Sequence, residues 1–200
     1  MSEFDEDPIG LTKKFAAAIG YLFPQWDLID RFKTAADCGF DGVELALPYE
    51  VQAEKLEAAR LESGMEVLLF TAPLGDFLEG GEGNACVPGM GSSFQDSLAI
   101  SQEYAEALDS QYVQFVAGRC FDKDARTAYL ATYSENLCCA AQAFEAGKTK
   151  VIVEAINSRD FPGYLLPTPQ QTRALIKATG RTDIGAVLDT VHAAAMDVDI

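Results

Sequence analysis

Short apolar runs alternate along this chain with longer stretches whose apolar residues recur every three or four positions. The runs are FAAAIGYLF at 15–23, GVELALP at 42–48, EVLLFTAP at 66–73, YVQFVAG at 112–118, and two more at 150–156 and 184–191. Runs of this length bounded by Gly or Pro suit strands buried on both faces, as in a parallel sheet covered by helices. The stretches between them predict helices. At 26–40, Leu28, Ile29, Phe32, Ala35 and Ala36 share one face, and Gly39 ends the helix. Helices follow at 51–63, at 92–108 with Phe94, Leu98, Ala105 and Leu108 inward, and at 124–145 with Tyr129, Tyr133, Leu137, Ala141 and Phe144 inward. Two start signals stand out: Ser92 with Gln95, and Thr168 with Pro169 and Gln171, both capping boxes.

The beat is strand then helix throughout, without strand–strand hairpins, which predicts βαβ crossovers and a parallel sheet. The fold class is therefore α/β. No linker divides it, so the expected organisation is an acidic N-terminal extension at 1–13 and a single domain at 14–200. A closed (β/α)8 TIM barrel takes eight units and typically ~250 residues, whereas six are visible before the sequence stops at Ile200. An open sheet, or a barrel with about six of its βα units present, both fit.

Charge and cysteine usage narrow the partners. A formal charge of −16, from 31 acidic against 15 basic residues, disfavours nucleic acid and anionic membrane surfaces, both of which are held by Lys and Arg. Five scattered cysteines without CxxC spacing fit a reduced compartment, not a disulfide framework or a zinc site. The acidic start lacks a signal-peptide apolar core, and no run reaches the ~18 residues of a membrane span. The expectation is a cytoplasmic protein with no nucleic-acid and no membrane partner. Self-association into a homo-oligomer stays open.

Chemistry concentrates where two apolar runs end in acids. Val151, Ile152 and Val153 lead into Glu154, and Ala186, Val187 and Leu188 lead into Asp189. A carboxylate at the carboxyl end of a buried strand is costly unless paired, and in α/β barrels that end carries the chemistry. The two acids point to a shared site around a divalent cation. Helix capping or pairing with Arg is the plainer reading, and stays open. His192, the only histidine, lies three residues past Asp189. Glu44 sits within the second run, and Asn157 and Asp160 follow Glu154 in a segment closed by Pro162-Gly163, where both also suit a turn. The Gly-rich passage at 75–91 lacks GxxxxGK[ST], and no GxGxxG or GxSxG occurs, so nucleotide cradles and a nucleophilic triad have no support.

Several of these stretches together resemble a known family. FAAAIGYLF, CGFDGVELALPY at 38–49, PLGDFLEGGEGNACVPG, VEAINSRDFPGY and LDTVH are similar to hydroxypyruvate isomerase and its 2-oxo-tetronate isomerase relatives in the xylose-isomerase-like TIM-barrel superfamily. The most specific pieces are the Gly-rich block and the E-x-I-N-x-x-D-x-P-G run. The resemblance implies a metal-dependent isomerase that interconverts a small hydroxy-keto acid and its aldehyde isomer through an enediolate, with Mg²⁺ or Mn²⁺ bound. It implies Glu154 as metal ligand and acid/base, Asp189 as a second ligand, and His192 as a substrate contact. Glu44 and Asn157 would line the pocket, and Gly75, Asp76, Gly83, Pro88 and Gly89 would belong to a lid. Two departures stand against the family pattern. Ala155 occupies a position where Pro is usual, and two further ligands, one of them a second catalytic Glu, belong to a seventh and an eighth strand beyond Ile200. A truncated or degenerate member acting as a binding or interaction protein is the competing expectation. An endonuclease of the related repair family would need more histidines and a basic surface.

Overall fold

Six parallel strands pair in the order in which the chain makes them. The computed structural model describes residues 14–199; the expected extension at 1–13 lies outside the described residues. The elements are β1 (Ala16–Ala18), α1 (Leu28–Asp37), β2 (Gly42–Leu45), α2 (Ala53–Ser63), β3 (Glu66–Thr71), α3 (Gly91–Leu108), β4 (Tyr112–Gln114), α4 (Arg126–Phe144), β5 (Lys150–Glu154), α5 (Pro169–Ala178), β6 (Gly185–Val187) and α6 (Thr190–Ala195). Each crossover returns the chain one strand further along the same wall, the winding of a (β/α) barrel and not of a doubly wound sheet whose strand order reverses. A register shift between Val43 and Glu44 skips one residue of β3. Such bulges re-aim the side chains beside them, and here the side chain is Glu44.

The sequence periodicity is realised as one continuous core. Val43, Phe70, Val113 and Val153 from the strands are fully sealed, with Phe32, Leu56, Leu108, Tyr133 and Leu137 from the helices. Tyr133 buries its ring and donates its hydroxyl to Phe115 O over 2.6 Å, meeting the need of a buried phenol for a partner. No helix among the described residues is long and apolar enough to cross a membrane.

The expected strands are all present but shorter. After Ala18 the chain turns, because the amides of Tyr21 and Leu22 bond back to Ala18 O at 3.0 and 2.9 Å and Arg31 Nη1 takes Ile19 O at 2.9 Å. The apolar character of 19–23 therefore belongs to a packed loop and not to β1. At the sixth run, Asp189 is the N-cap of α6, so Thr190 and Val191 are helical. Of the two capping boxes, Thr168 caps α5, its Oγ1 accepting from Gln171 N at 3.3 Å, with Pro169 leading the helix. Ser92 does not cap. The turn at Gly89 (φ +88°) brings the chain into helix by Gly91, which places Ser92 inside the first turn.

Candidate metal and substrate site

At the carboxyl ends of the strands lies a cavity of about 270 Å³, to which the first five strands each contribute: Ala18, Glu44, Thr71, Gln114 and Glu154, with His192 from α6. Polar groups at the ends of buried strands are costly without partners, and here they serve one another. Thr71 Oγ1 donates to Gln114 Oε1 at 3.4 Å, and Gln114 Nε2 donates to Glu154 Oε2 at 2.5 Å. The Tyr164 hydroxyl donates to the main-chain carbonyl of Glu154 at 3.2 Å and accepts from Ala117 N at 3.2 Å, which pins the end of β5.

Burial sets the electrostatics of the cavity acids. Burial pushes the Glu154 carboxyl above its ordinary value; the Gln114 hydrogen bond and His192 work against the rise, and Asp189 and Glu44 add to it. Burial also raises Glu44. Glu154, Asp189 and His192 each offer a ligand atom, and these atoms lie within 4.8 Å of one another. Asp189 fulfils the capping alternative, since its Oδ1 accepts from His192 N at 2.8 Å. That bond orients the side chain without consuming both oxygens. Glu154 caps no helix.

Asn157 stands elsewhere than the resemblance implied. It is fully buried and is absent from the cavity wall, lying behind His192, with Asn157 Nδ2 2.8 Å from His192 Nδ1. Its Oδ1 accepts from Arg159 N and Asp160 N at 3.0 and 2.8 Å, the turn-forming role expected of it.

The Gly-rich passage forms a packed roof. Asp76 Oδ1 accepts from Gly83 N at 2.8 Å, closing a loop around a single 3₁₀ turn, Phe77–Glu79. Gly75 and Gly83 hold positive φ of 59° and 83° there, and Leu74, Phe77 and Leu78 face the cavity. Pro88 and Gly89 do not line it and lead into α3. Besides Thr71 and Tyr164, three further contributors had not been expected. Gln114 carried a signal, a polar residue inside an apolar run. Arg119 and Phe161 carried none. Arg119 Nη1 donates to Phe77 O and Gly81 O at 2.6 and 2.7 Å, with the guanidinium 4.1 Å from the Phe77 ring centroid. Phe161 stacks on Phe77 at 5.8 Å and meets His192 edge-on at 6.3 Å.

A wall of sequential parallel βα units, with carboxylates gathered at the strand ends around a roofed cavity, defines the class: α/β-barrel proteins with an acidic small-molecule-sized pocket. Comparison with known proteins makes this specific. The profile of the Xylose isomerase-like TIM barrel family matches residues 32–200, and the chain belongs to that family. It is 33% identical over 187 residues to the 2-oxo-tetronate isomerase of Cupriavidus necator, covering 94% of this chain and 72% of that protein. Against the hydroxypyruvate isomerase of Escherichia coli the identity is 32%, with the same 94% and 72% coverage. A solved structure described as AP endonuclease, family 2, from Brucella melitensis superposes with a TM-score of 0.90 at 32% identity, covering 94% of this chain and 73% of that one.

Proposed function

We propose that this chain is a metal-dependent isomerase of a small hydroxy-keto acid, of the hydroxypyruvate/tartronate semialdehyde or 2-oxo-tetronate type, working through an enediolate. The observation that carries the reading is the convergence of ligand atoms of Glu154, Asp189 and His192 within 4.8 Å of one another, with Glu154 and His192 on the cavity wall, in a chain whose relatives include a hydroxypyruvate isomerase and a 2-oxo-tetronate isomerase. The donor set fits Mg²⁺ or Mn²⁺, which prefer carboxylate oxygen, and Glu154 and Asp189 would hold the ion. Bound there, such a cation would polarise the substrate's vicinal oxygens and stabilise the charge of the enediolate.

The chain's own groups do the rest. Glu154 serves as the base that takes a proton from one carbon and returns it to the next; its burial-raised affinity for protons suits that task. Glu44 places a second desolvated carboxyl against the same cavity. Phe77, Leu74 and Phe161 form an apolar cover that limits water at the reacting carbons. The volume, about 270 Å³, suits a substrate of a few carbons. The Brucella relative's description names a nuclease, whereas a formal charge of −16 supports a small-molecule substrate here. The test is turnover of hydroxypyruvate and of a 2-oxo-tetronate by the purified chain with Mn²⁺, beside Glu154→Gln. Turnover that the substitution abolishes supports the reading. Activity untouched by it, or Mn²⁺ binding without turnover of either substrate type, rejects it, the latter in favour of a binding role.

A further inference from the structure

The amide of Asn157 uses every hydrogen-bonding position it has. Its Oδ1 accepts two main-chain N–H groups, from Arg159 at 3.0 Å and Asp160 at 2.8 Å. Its Nδ2 carries two hydrogens and faces two further atoms, Asp160 Oδ2 at 2.9 Å and His192 Nδ1 at 2.8 Å. An amide has two acceptor sites and two donor hydrogens, so the group is saturated. Rotating it by half a turn would aim NH₂ at two N–H donors and Oδ1 at Asp160 Oδ2 inside a fully buried site, leaving three groups mismatched whichever tautomer the histidine adopts. The orientation is therefore fixed by the turn and not by the histidine. It follows that Nδ1 of His192 faces a donor and must accept. In the neutral ring the proton then sits on Nε2.

We propose that Asn157 is a positioning residue that holds His192 as its Nε2–H tautomer, so that His192 donates a hydrogen bond to a substrate oxygen and does not coordinate the cation. Coordination through Nε2 would need the proton on Nδ1, pressed against the Asn157 NH₂. Although His192 lies within ligand range of both acids, this arrangement leaves Glu154 and Asp189 as the coordinating pair. Phe161, edge-on to the imidazole at 6.3 Å, restricts the ring from turning away. The substrate and cation roles rest on the isomerase reading above; the tautomer does not.

A single histidine in the chain makes the test unambiguous, because every imidazole nitrogen signal belongs to His192. Long-range ¹H–¹⁵N correlation spectra of the metal-free protein, at a pH where the ring is neutral, should show an unprotonated Nδ1 and a protonated Nε2. Asn157→Asp replaces the NH₂ by an acceptor and should invert the pattern; Asn157→Ala, which removes the partner without adding a charge, should give a mixture of tautomers. Titrating Mg²⁺ into the wild type should leave the Nε2 signal protonated, while Asn157→Asp should gain affinity for Zn²⁺ by about tenfold as the imidazole becomes a ligand. An Nδ1–H tautomer in the wild type, or a pattern unchanged in Asn157→Ala, overturns the proposal. None of these readouts involves turnover, so absence of isomerase activity would leave the tautomer result standing, and the reverse result would leave the isomerase reading standing.

Discussion

Gln114 Nε2 donates to Glu154 Oε2 across 2.5 Å, and it is the only side chain among the described residues that hydrogen-bonds this carboxylate. The bond lowers the proton affinity that burial raises, so Gln114 decides how far Glu154 stays ionised and how it is aimed. Gln114→Leu preserves bulk but removes the donor and strands Thr71 Oγ1. Divalent-cation affinity or turnover should fall about 10–100-fold, as for other partners that orient a ligand from behind. The acid limb of the pH–rate profile should move upward, because the carboxyl now holds its proton to higher pH. Calorimetric cation titration and that profile check it; an unmoved limb shows that Gln114 is only packing.

Asp189 carries two functions that different substitutions separate. Asn caps helices as well as Asp does, so Asp189→Asn should keep the bond to His192 N and leave stability nearly unchanged. Asp189→Ala should lose about 1 kcal/mol of capping as well. If Asp189 also holds a cation, both variants should lose affinity alike, by about tenfold or more. Thermal unfolding together with Mn²⁺ titration distinguishes the effects. Retained affinity in Asp189→Asn would reduce the residue to a cap.

The two capping boxes offer a direct contrast. Thr168→Ala should cost about 1 kcal/mol, lowering Tm by roughly 2–4 °C for a chain of this size. Ser92→Ala should change it by less than about 0.5 kcal/mol, because Ser92 lies within α3 and caps nothing. Parallel melting curves of the two variants are sufficient.

This contrast shows what was legible in the chain and what was not. The alternation of buried strands and one-sided helices follows from side-chain periodicity, and Glu154 and Asp189 were visible because a charge ending an apolar run demands an explanation. Where the strands stop was not legible: Ile19 is completely buried yet lies in a loop, since apolar character records burial and not pairing. The Ser92 signal failed for a related reason, in that a capping box works only if the main chain enters the helix at that residue. Asn157 read correctly as a turn former, but its second partner lies 35 residues away and no local pattern encodes that distance. Arg119 looks like any surface arginine until the fold buries it.

Arg119 is 9% exposed and, among the described residues, has no carboxylate partner; it serves the roof through the carbonyls of Phe77 and Gly81. Arg119→Met leaves the Gly81 carbonyl without a donor, at about 1–3 kcal/mol, leaves Phe77 O only its main-chain donor, Gly80 N at 3.2 Å, and removes the cation from the Phe77 face. Arg119→Lys retains a donor but not the flat stack. Limited proteolysis within 75–91 should accelerate strongly in the first variant and less in the second. Equal rates in all three proteins would mean that the roof is held by Asp76 and its neighbours alone.

The cavity acids also set how stability depends on pH when no cation is present. Glu154 and Glu44 both have folded-state proton affinities raised above the ordinary value of 4.5, so the folded chain binds protons more tightly than the unfolded one. Their contribution is complete below about pH 4.5 and is lost as the pH rises through their folded values, after which a constant penalty remains. In EDTA, Glu154→Gln should therefore gain stability relative to the wild type as the pH rises across that window, and the gain should level off above it. Adding Mg²⁺ or Mn²⁺ should reverse the order, since an ion that binds only the folded state contributes about 2.7 kcal/mol at a hundredfold excess over Kd, roughly 5–10 °C in Tm. Glu154→Gln should lose most of that increment. Melting curves from pH 4 to pH 8, with and without the cation, measure both effects, and a wild type as stable as the variant throughout in EDTA would show that Glu154 is not desolvated in solution.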